Sequence, residues 1–135
     1  MSENLDLVRS IFVAWERGDF SAADWADPQI EYSVSGGLAE GERSIGVAGM
    51  ARGFHAFLSA WEGYRVAADE YRELDADRVI VLAHASGGRA KTGGLELGQV
   101  RTQGAVLFQL RDGLVARLVL YPVRERALAD LGLEE

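Results

Sequence analysis

Cysteine is absent from this sequence of 135 residues. Disulfide bonds, thiolate zinc sites and a cysteine nucleophile are therefore excluded. Proline occurs twice, and lysine is represented only by Lys91. The formal net charge is −7, so the chain lacks the excess of basic residues that nucleic acids and anionic membranes attract. Neither is expected as a partner.

Long apolar runs are also missing. No stretch approaches the roughly 18 residues of a membrane span. The N-terminus carries Glu3 and Asp6 before its first arginine and has no apolar core, unlike a signal peptide. A cytoplasmic protein is therefore expected. The length suits one domain, residues 1–135, with a single hydrophobic core.

The last third of the chain has the clearest pattern. Two long runs of strand-type residues flank Arg111-Asp112-Gly113, and an Asp-Gly pair in that setting predicts a β-hairpin. A short helix is predicted over residues 123–131, followed by Gly132. Alternation predicts three earlier strands, over residues 29–34, 64–74 and 78–86, of which the last is the most apolar and therefore central.

Three helices are predicted, over residues 2–17, 20–26 and 46–62, and the last of them follows the first strand. Pro28 ends the second helix because it restricts the residue before it. Gly49 and Gly53 fall inside the third helix, where each costs about 1 kcal/mol relative to alanine. Close approach of another part of the chain, or of a ligand, would explain them.

The order of elements favours an α+β fold. Consecutive strands predict an antiparallel meander, and the helices must cover one of its faces. The predicted architecture is a cone-shaped, curved, mostly antiparallel sheet wrapped around three helices from the N-terminal half.

Several short motifs carry a resemblance to a known family. They are Trp15-Glu16-Arg17-Gly18-Asp19, Asp27-Pro28, Gly46, Asp77-Arg78-Val79, Leu110-Arg111-Asp112-Gly113, Tyr121, Arg126-Ala127-Leu128 and Leu131-Gly132-Leu133. With the element order, they resemble the nuclear transport factor 2-like fold (a cystatin-like α+β barrel), and within it the SnoaL-like families of polyketide cyclase and ketosteroid isomerase type. The resemblance covers nearly the whole chain and implies a single SnoaL-like domain. Because this fold carries both enzymes and binding modules, function depends on the side chains inside the cone.

Period-two alternation, with the face chosen by this resemblance, predicts a mostly apolar pocket. Even-numbered residues of the last strand are expected to face it, together with odd-numbered residues of the strand before and even-numbered residues of the central strand. Tryptophan and phenylalanine at these positions could instead simply fill the core. The predicted lining is Trp15, Trp25, Tyr32, Phe54, Trp61, His84, Arg101, Gln103, Leu118 and Leu120.

Three of these residues are candidates for chemistry. His84 could be a general base, Arg101 could bind a carboxylate or an oxyanion, and Tyr32 could stabilise charge. The alternatives are a structural histidine and a surface arginine. The resemblance implies that ketosteroid isomerase carboxylates would fall at Tyr32 and Ala105, and an epoxide hydrolase aspartate near Leu120, so both acid sets are missing. No cofactor is implied, and one pocket histidine is too few for a metal site.

Three hypotheses follow. The first is a binding protein for a small hydrophobic molecule, and the second is a cyclase-, isomerase- or hydrolase-type enzyme that uses His84. The third is a dimeric assembly module with an incidental cavity. A homodimer is expected through the outer face of the sheet, because an apolar patch of this size is unusual on a monomer. The patch would comprise Val106, Phe108, Val115, Val119 and Tyr121.

Overall fold

The computed structural model describes residues 3–36, 41–59, 61–89 and 99–133, except for the side chains of residues 61, 62, 88, 89 and 99–101. The described residues form three helices and one six-stranded sheet with the strand order β2-β1-β6-β5-β4-β3. In chain order the elements are α1 (Glu3–Glu16), β1 (Ala26–Val34), β2 (Arg43–Ile45), α2 (Val47–Ser59), β3 (Trp61–Glu73), β4 (Arg78–Arg89), β5 (Gln99–Arg111), β6 (Leu114–Tyr121) and α3 (Arg124–Leu131).

Two helices cover one side of the sheet, here called the inner face. The buried residues of α1 lie at helical spacing and pack with Met50 and Phe54 of α2 against this face. The third helix packs on the opposite side, the outer face, through Ala127 and Leu128. The α+β class is confirmed, but the expectation of three helices from the N-terminal half on one face is wrong.

The second predicted helix, over residues 20–26, does not form. The Asp19 carboxylate instead accepts hydrogen bonds from the backbone N–H and the hydroxyl of Ser21, at 3.0 and 2.6 Å. The indole of Trp25 donates to the carbonyl of Ala22. These local bonds offer the backbone an alternative to a helix. Strand β1 already begins at Ala26, which pairs with Val115.

Two further boundaries differ from the sequence prediction. Strand β2 lies in a segment predicted as loop, and it is held by antiparallel pairing with β1. The third predicted helix ends at Ser59, so that Trp61 belongs to β3 and its backbone pairs with Arg89. The antiparallel meander from β3 to β6 is confirmed, and only the β1–β6 pair is parallel among the described strands.

The β5–β6 hairpin contains a bulge that the sequence pattern did not reveal. Asp112 and Gly113 both have positive φ, 54° and 80°, as a two-residue type I′ turn requires. Leu110 pairs with Val115, but Gln109 pairs with Arg117, so Ala116 is an extra residue.

This extra residue decides which side chains share a face. An uninterrupted ladder would place Leu107 opposite Leu118, whereas the bulge places Phe108 there. Because β4 is paired with β5, the two strands shift together: Val79 and Val81 lie on the inner face with Phe108. The predicted faces of β4 and β5 are therefore wrong. The predicted face of β1 is correct, and so is that of β6 beyond the bulge, where Leu118 and Leu120 are buried on the inner face with Tyr32. Val115, before the bulge, was predicted on the outer face but lies in the inner core.

None of the helices in these described ranges has the length and apolar character needed to cross a lipid bilayer.

Candidate functional site

Aromatic rings occupy the interior between the inner face and the two helices. Trp15 lies at their centre, with ring centroids 5.4 Å from Phe54, 5.8 Å from Phe108 and 6.2 Å from Trp25. Each such pair adds about 0.5–1.5 kcal/mol beyond its area burial. All these rings are buried. We call Trp15, Phe20, Trp25, Tyr32, Phe54 and Phe108 the aromatic cluster.

Tyr32 reaches the cluster from β1 and is 2 % exposed. Its ring centroid is 5.5 Å from that of Phe54. The ring also lies directly against α2, because a Cβ added to Gly53 would be 2.4 Å from Tyr32 Cε2. Gly49, one turn earlier, lies in the same way against the side chain of Ser44, which is paired with Tyr32 across β1 and β2. Both glycines predicted inside this helix are thus explained by close packing.

The Tyr32 hydroxyl is a buried polar group with no hydrogen-bond partner in the described structure, and the hydroxyl of Ser44 is another. A buried polar group without a partner costs about 1–3 kcal/mol. Burial raises the pKa of Tyr32 well above its ordinary value, and the nearby Glu42 and Tyr64 raise it further. The phenol therefore stays protonated at physiological pH and is a hydrogen-bond donor.

Half-buried aromatic residues continue from the cluster toward the surface. Tyr64 on β3 lies 5.4 Å from Phe57 and 6.3 Å from Phe20, measured between ring centroids. Burial raises the pKa of Tyr64 to about 12. This end of the interior is bounded by Tyr64, Phe57 and Phe20 on its aromatic side.

The part of the inner face that continues β4 and β5 beyond the core carries small side chains. Ala83 pairs with Gly104, and Ala85 pairs with Thr102. On β3 the matching residues are Ala68 and Val66. Small side chains therefore line this part of the inner face, in contrast to the large rings of the aromatic cluster.

The interior holds few groups for acid–base or metal chemistry. No charged side chain is buried in the described part of the chain. Within the same residues, no group of three or more histidines and carboxylates is placed to hold a metal ion. The interior presents an apolar, aromatic surface and one hydroxyl, that of Tyr32, that can donate a hydrogen bond. None of the carboxylates that the structure describes is buried there to serve as a base.

Two predicted pocket residues lie on the outer face because of the bulge. The ring of His84 is 53 % exposed, and its Nδ1 donates to the carboxylate of Asp69 at 2.6 Å. Gln103 is exposed beside it, since the two residues pair across β4 and β5. Ala105, where the family resemblance implies an isomerase carboxylate, also lies on the outer face. The side chains of Arg101 and Trp61 lie outside the described residues, although the backbone of Arg101 pairs with Ser86.

Asp69 also forms an ion pair with Arg124. The sequence pattern predicted a role for neither residue. Arg124 Nη2 donates to Asp69 at 2.7 Å and to the carbonyl of Ala83 at 2.8 Å, while its Nε donates to the carbonyl of Gly104 at 3.3 Å. Burial alone would raise the pKa of Asp69, but hydrogen bonds from Arg124 and His84 outweigh it and hold the pKa below its ordinary value. Asp69 sits at a bulge in β3, which period-two alternation cannot locate.

A scan against protein-family models finds no match, and no curated protein matches the sequence. Solved structures do match. An NTF2-like protein from Burkholderia thailandensis E264 aligns with a TM-score of 0.77 and 19 % identity, over 99 % of this chain and 100 % of its own. A protein described as a polyketide cyclase from Xanthomonas campestris pv. campestris aligns with a TM-score of 0.70 and 21 % identity, over 96 % of each chain.

A third match is TerC, solved together with polyporic acid, with a TM-score of 0.72 and 19 % identity over 96 % of this chain and 98 % of that one. At these identities the likeness establishes the fold. The chain has the nuclear transport factor 2-like, cystatin-like α+β fold that SnoaL-like proteins share, as the sequence resemblance predicted.

Proposed function

We propose that the protein binds a small hydrophobic molecule inside the cone, with the Tyr32 hydroxyl donating a hydrogen bond to an acceptor on that molecule. The observation that carries this proposal is the Tyr32 hydroxyl itself, which is buried among aromatic rings and has no partner in the described structure. Buried polar groups in folded proteins nearly always have one. A ligand oxygen would supply it.

The surroundings of Tyr32 fit an apolar ligand. The neighbouring rings of Phe54 and Tyr64 offer aromatic surface, and no charged group is buried among the described residues to favour an ionic ligand there. The solved structures of the same fold include proteins described as polyketide cyclases and one that was co-crystallised with polyporic acid. Small-molecule binding in this fold therefore has precedent.

The enzyme alternative, with His84 as general base, has less support. His84 lies on the face of the sheet opposite the aromatic cluster, so it cannot take a proton from a ligand held beside Tyr32. The described residues of the interior therefore support binding more strongly than catalysis.

The apolar patch from which the homodimer was predicted is buried in the structure. Val106, Phe108 and Val115 belong to the inner core, while Val119 and Tyr121 pack in the cluster that α3 covers. A cytoplasmic homodimer stays a prediction from the sequence alone, and light scattering at micromolar concentration tests its assembly.

Binding can be tested with two probes that differ in one acceptor, 2-acetylnaphthalene and 2-ethylnaphthalene. The fluorescence of the interior Trp15 and Trp25 reports occupancy. The wild-type protein should bind the ketone about fivefold more tightly, because one neutral hydrogen bond contributes about 1 kcal/mol. Tyr32→Phe should abolish this preference and keep binding of the hydrocarbon.

Tyr71→Phe is the matched control, since it removes a phenol hydroxyl from a half-buried residue at the edge of the same core. It should leave the ketone preference unchanged. The proposal is wrong if neither probe binds, or if Tyr32→Phe and Tyr71→Phe change the preference equally.

A further inference from the structure

A second site lies on the outer face, on the far side of the sheet from the aromatic cluster. It is a groove of about 560 Å³ between α3 and the outer surface of β2, β1 and β6. His84 does not contribute to it. Of the aromatic cluster only Tyr32 reaches its lining, and the Tyr32 ring packs against Phe54 and Gly53 on the inner face. Its lining includes Glu31, Ser33, Arg43, Ile45, Arg117, Val119, Tyr121, Arg126 and Asp130.

The strand register explains how these side chains come together. Ser33 pairs with Arg43 on one side and with Val119 on the other, and Glu31 in the next row pairs with Ile45 and Arg117. All of them alternate with the inner-face residues and so point outward. The floor is apolar at Val119 and Tyr121, where β6 passes beneath the groove.

Positive charge is concentrated here although the whole chain carries −7. Among the described lining residues, three arginines face two carboxylates, Glu31 and Asp130, so one positive charge is in excess. Arg43 and Arg117 form no ion pair with another described residue, although Arg117 is opposite Glu31 in the ladder. Their guanidinium groups therefore have donors to spare.

The Tyr121 phenol lies within the electrostatic reach of several of these groups. Burial raises its pKa, Asp130 raises it further, and Arg117 and Arg126 lower it. Charges from β6 and from α3 thus converge on one ring at the groove floor. The stem of Arg126 lies against Gly36, and Ser35 Oγ is 3.4 Å from Asp130, so α3 and the end of β1 close one side of the groove.

We propose that this groove binds a small monocarboxylate with an apolar body. The carboxylate would lie between Arg117 and Arg43, and the apolar body would lie on Val119 and Tyr121. Arginine matches a planar carboxylate with two parallel hydrogen bonds, which favours this head group. A doubly charged group is disfavoured because Glu31 and Asp130 share the groove and repel a second negative charge. This site is independent of the proposed interior site.

The test uses sodium phenylacetate and its neutral analogue phenylacetamide, titrated into 15N-labelled protein. Phenylacetate should give saturable shifts at Ser33, Val119 and Tyr121, and phenylacetamide should bind at least tenfold more weakly. Arg117→Gln and Arg43→Gln should each weaken phenylacetate binding about tenfold, the effect of one lost charge-assisted pair. The shifts should stay confined to residues of the outer face, which separates this result from binding in the interior.

Arg65→Gln is the matched control, because Arg65 is exposed on β3, at the opposite edge of the sheet. It removes the same charge and should leave phenylacetate binding within twofold of the wild type. The proposal is overturned if phenylacetate gives no saturable shifts at the groove, if phenylacetamide binds equally well, or if Arg65→Gln weakens binding as much as Arg117→Gln. It is also overturned if light scattering shows a dimer that Arg117→Gln dissociates, since a second copy would then fill the groove.

Discussion

Phe108 on β5 lies directly opposite Leu118 on β6, and both side chains are completely buried. The extra residue Ala116 brings these two into register. Without it, Leu118 would lie opposite Leu107, which instead packs under α3 on the outer face. One residue in one ladder therefore decides which side chains of β4 and β5 face the aromatic cluster.

Deleting Ala116 should leave the protein folded. The ladder then continues from the Val115 pair to the Arg117 pair without the bulge, and Phe108 still lies opposite Leu118. We expect the free energy of unfolding to fall by about 1–2 kcal/mol, a typical cost for a single local change. Urea unfolding measures it, and near-ultraviolet circular dichroism reports whether the core stays packed.

Deleting Val119 is the matched control. It removes one residue from the same strand beyond the bulge, so Leu120 would turn to the outer face and the core would lose it. This variant should lose its near-ultraviolet signal. Equal effects of the two deletions would contradict the role assigned to Ala116.

Much of the fold follows from local chemistry that a sequence displays. Asp112-Gly113 can adopt two positive φ angles, and Gly132 ends α3 with a left-handed cap, so both features were predictable. The bulge at Ala116 was not, because an unpaired residue within a strand looks like any other. Strand β2 was missed because its short run is held by backbone pairing with β1 and carries no apolar alternation.

The site was predictable to the extent that it depends on β1, on the part of β6 beyond the bulge and on the buried residues of α1 and α2. Trp15, Trp25 and Phe54 are buried in the inner core, as their apolar spacing predicted. His84 was assigned to the wrong face because the face of β4 is inherited through β5 from the bulged hairpin. Asp69, the partner of His84, was missed because β3 has a bulge of its own.

Gly53→Ala should destabilise the protein, contrary to the usual gain of about 1 kcal/mol for this change inside a helix. The new Cβ would lie 2.4 Å from Tyr32 Cε2, so the ring or the helix must move. We expect a loss of about 1–3 kcal/mol, the cost of overpacking a core. In a Tyr32→Val background the same change should become stabilising. A double-mutant cycle by urea unfolding measures the coupling, and an absent coupling would contradict the contact.

Tyr32→Phe should not destabilise the protein and should stabilise it by up to about 1 kcal/mol. The hydroxyl it removes is buried and has no partner in the described structure, so no hydrogen bond is lost. Thermal and urea unfolding measure the change, with Tyr71→Phe as the control. A loss of more than about 1 kcal/mol for Tyr32→Phe alone would show that the hydroxyl is hydrogen-bonded in the free protein.

Arg124→Met should destabilise the protein by about 2–3 kcal/mol. Arg124 is only 11 % exposed, and its loss leaves the carbonyls of Ala83 and Gly104 and one oxygen of Asp69 without their donor. Because Arg124 begins α3, the helix should detach from the outer face before the rest unfolds. Hydrogen exchange of the α3 amides measures this, and protection equal to that of the wild type would contradict it.

Asp69→Asn should make stability less dependent on acid pH. The pKa of Asp69 is held below its ordinary value in the folded protein, so its ionised form contributes stability above the unfolded pKa of about 3.8. That contribution is lost as pH falls through the lowered folded value. The difference in unfolding free energy between wild type and Asp69→Asn should therefore be largest near neutral pH and shrink below about pH 4. Urea unfolding at several pH values measures it, and in an Arg124→Met background the same difference should be smaller at neutral pH. A difference that grows toward low pH would mean that the carboxylate is not stabilised by Arg124 and His84 in solution.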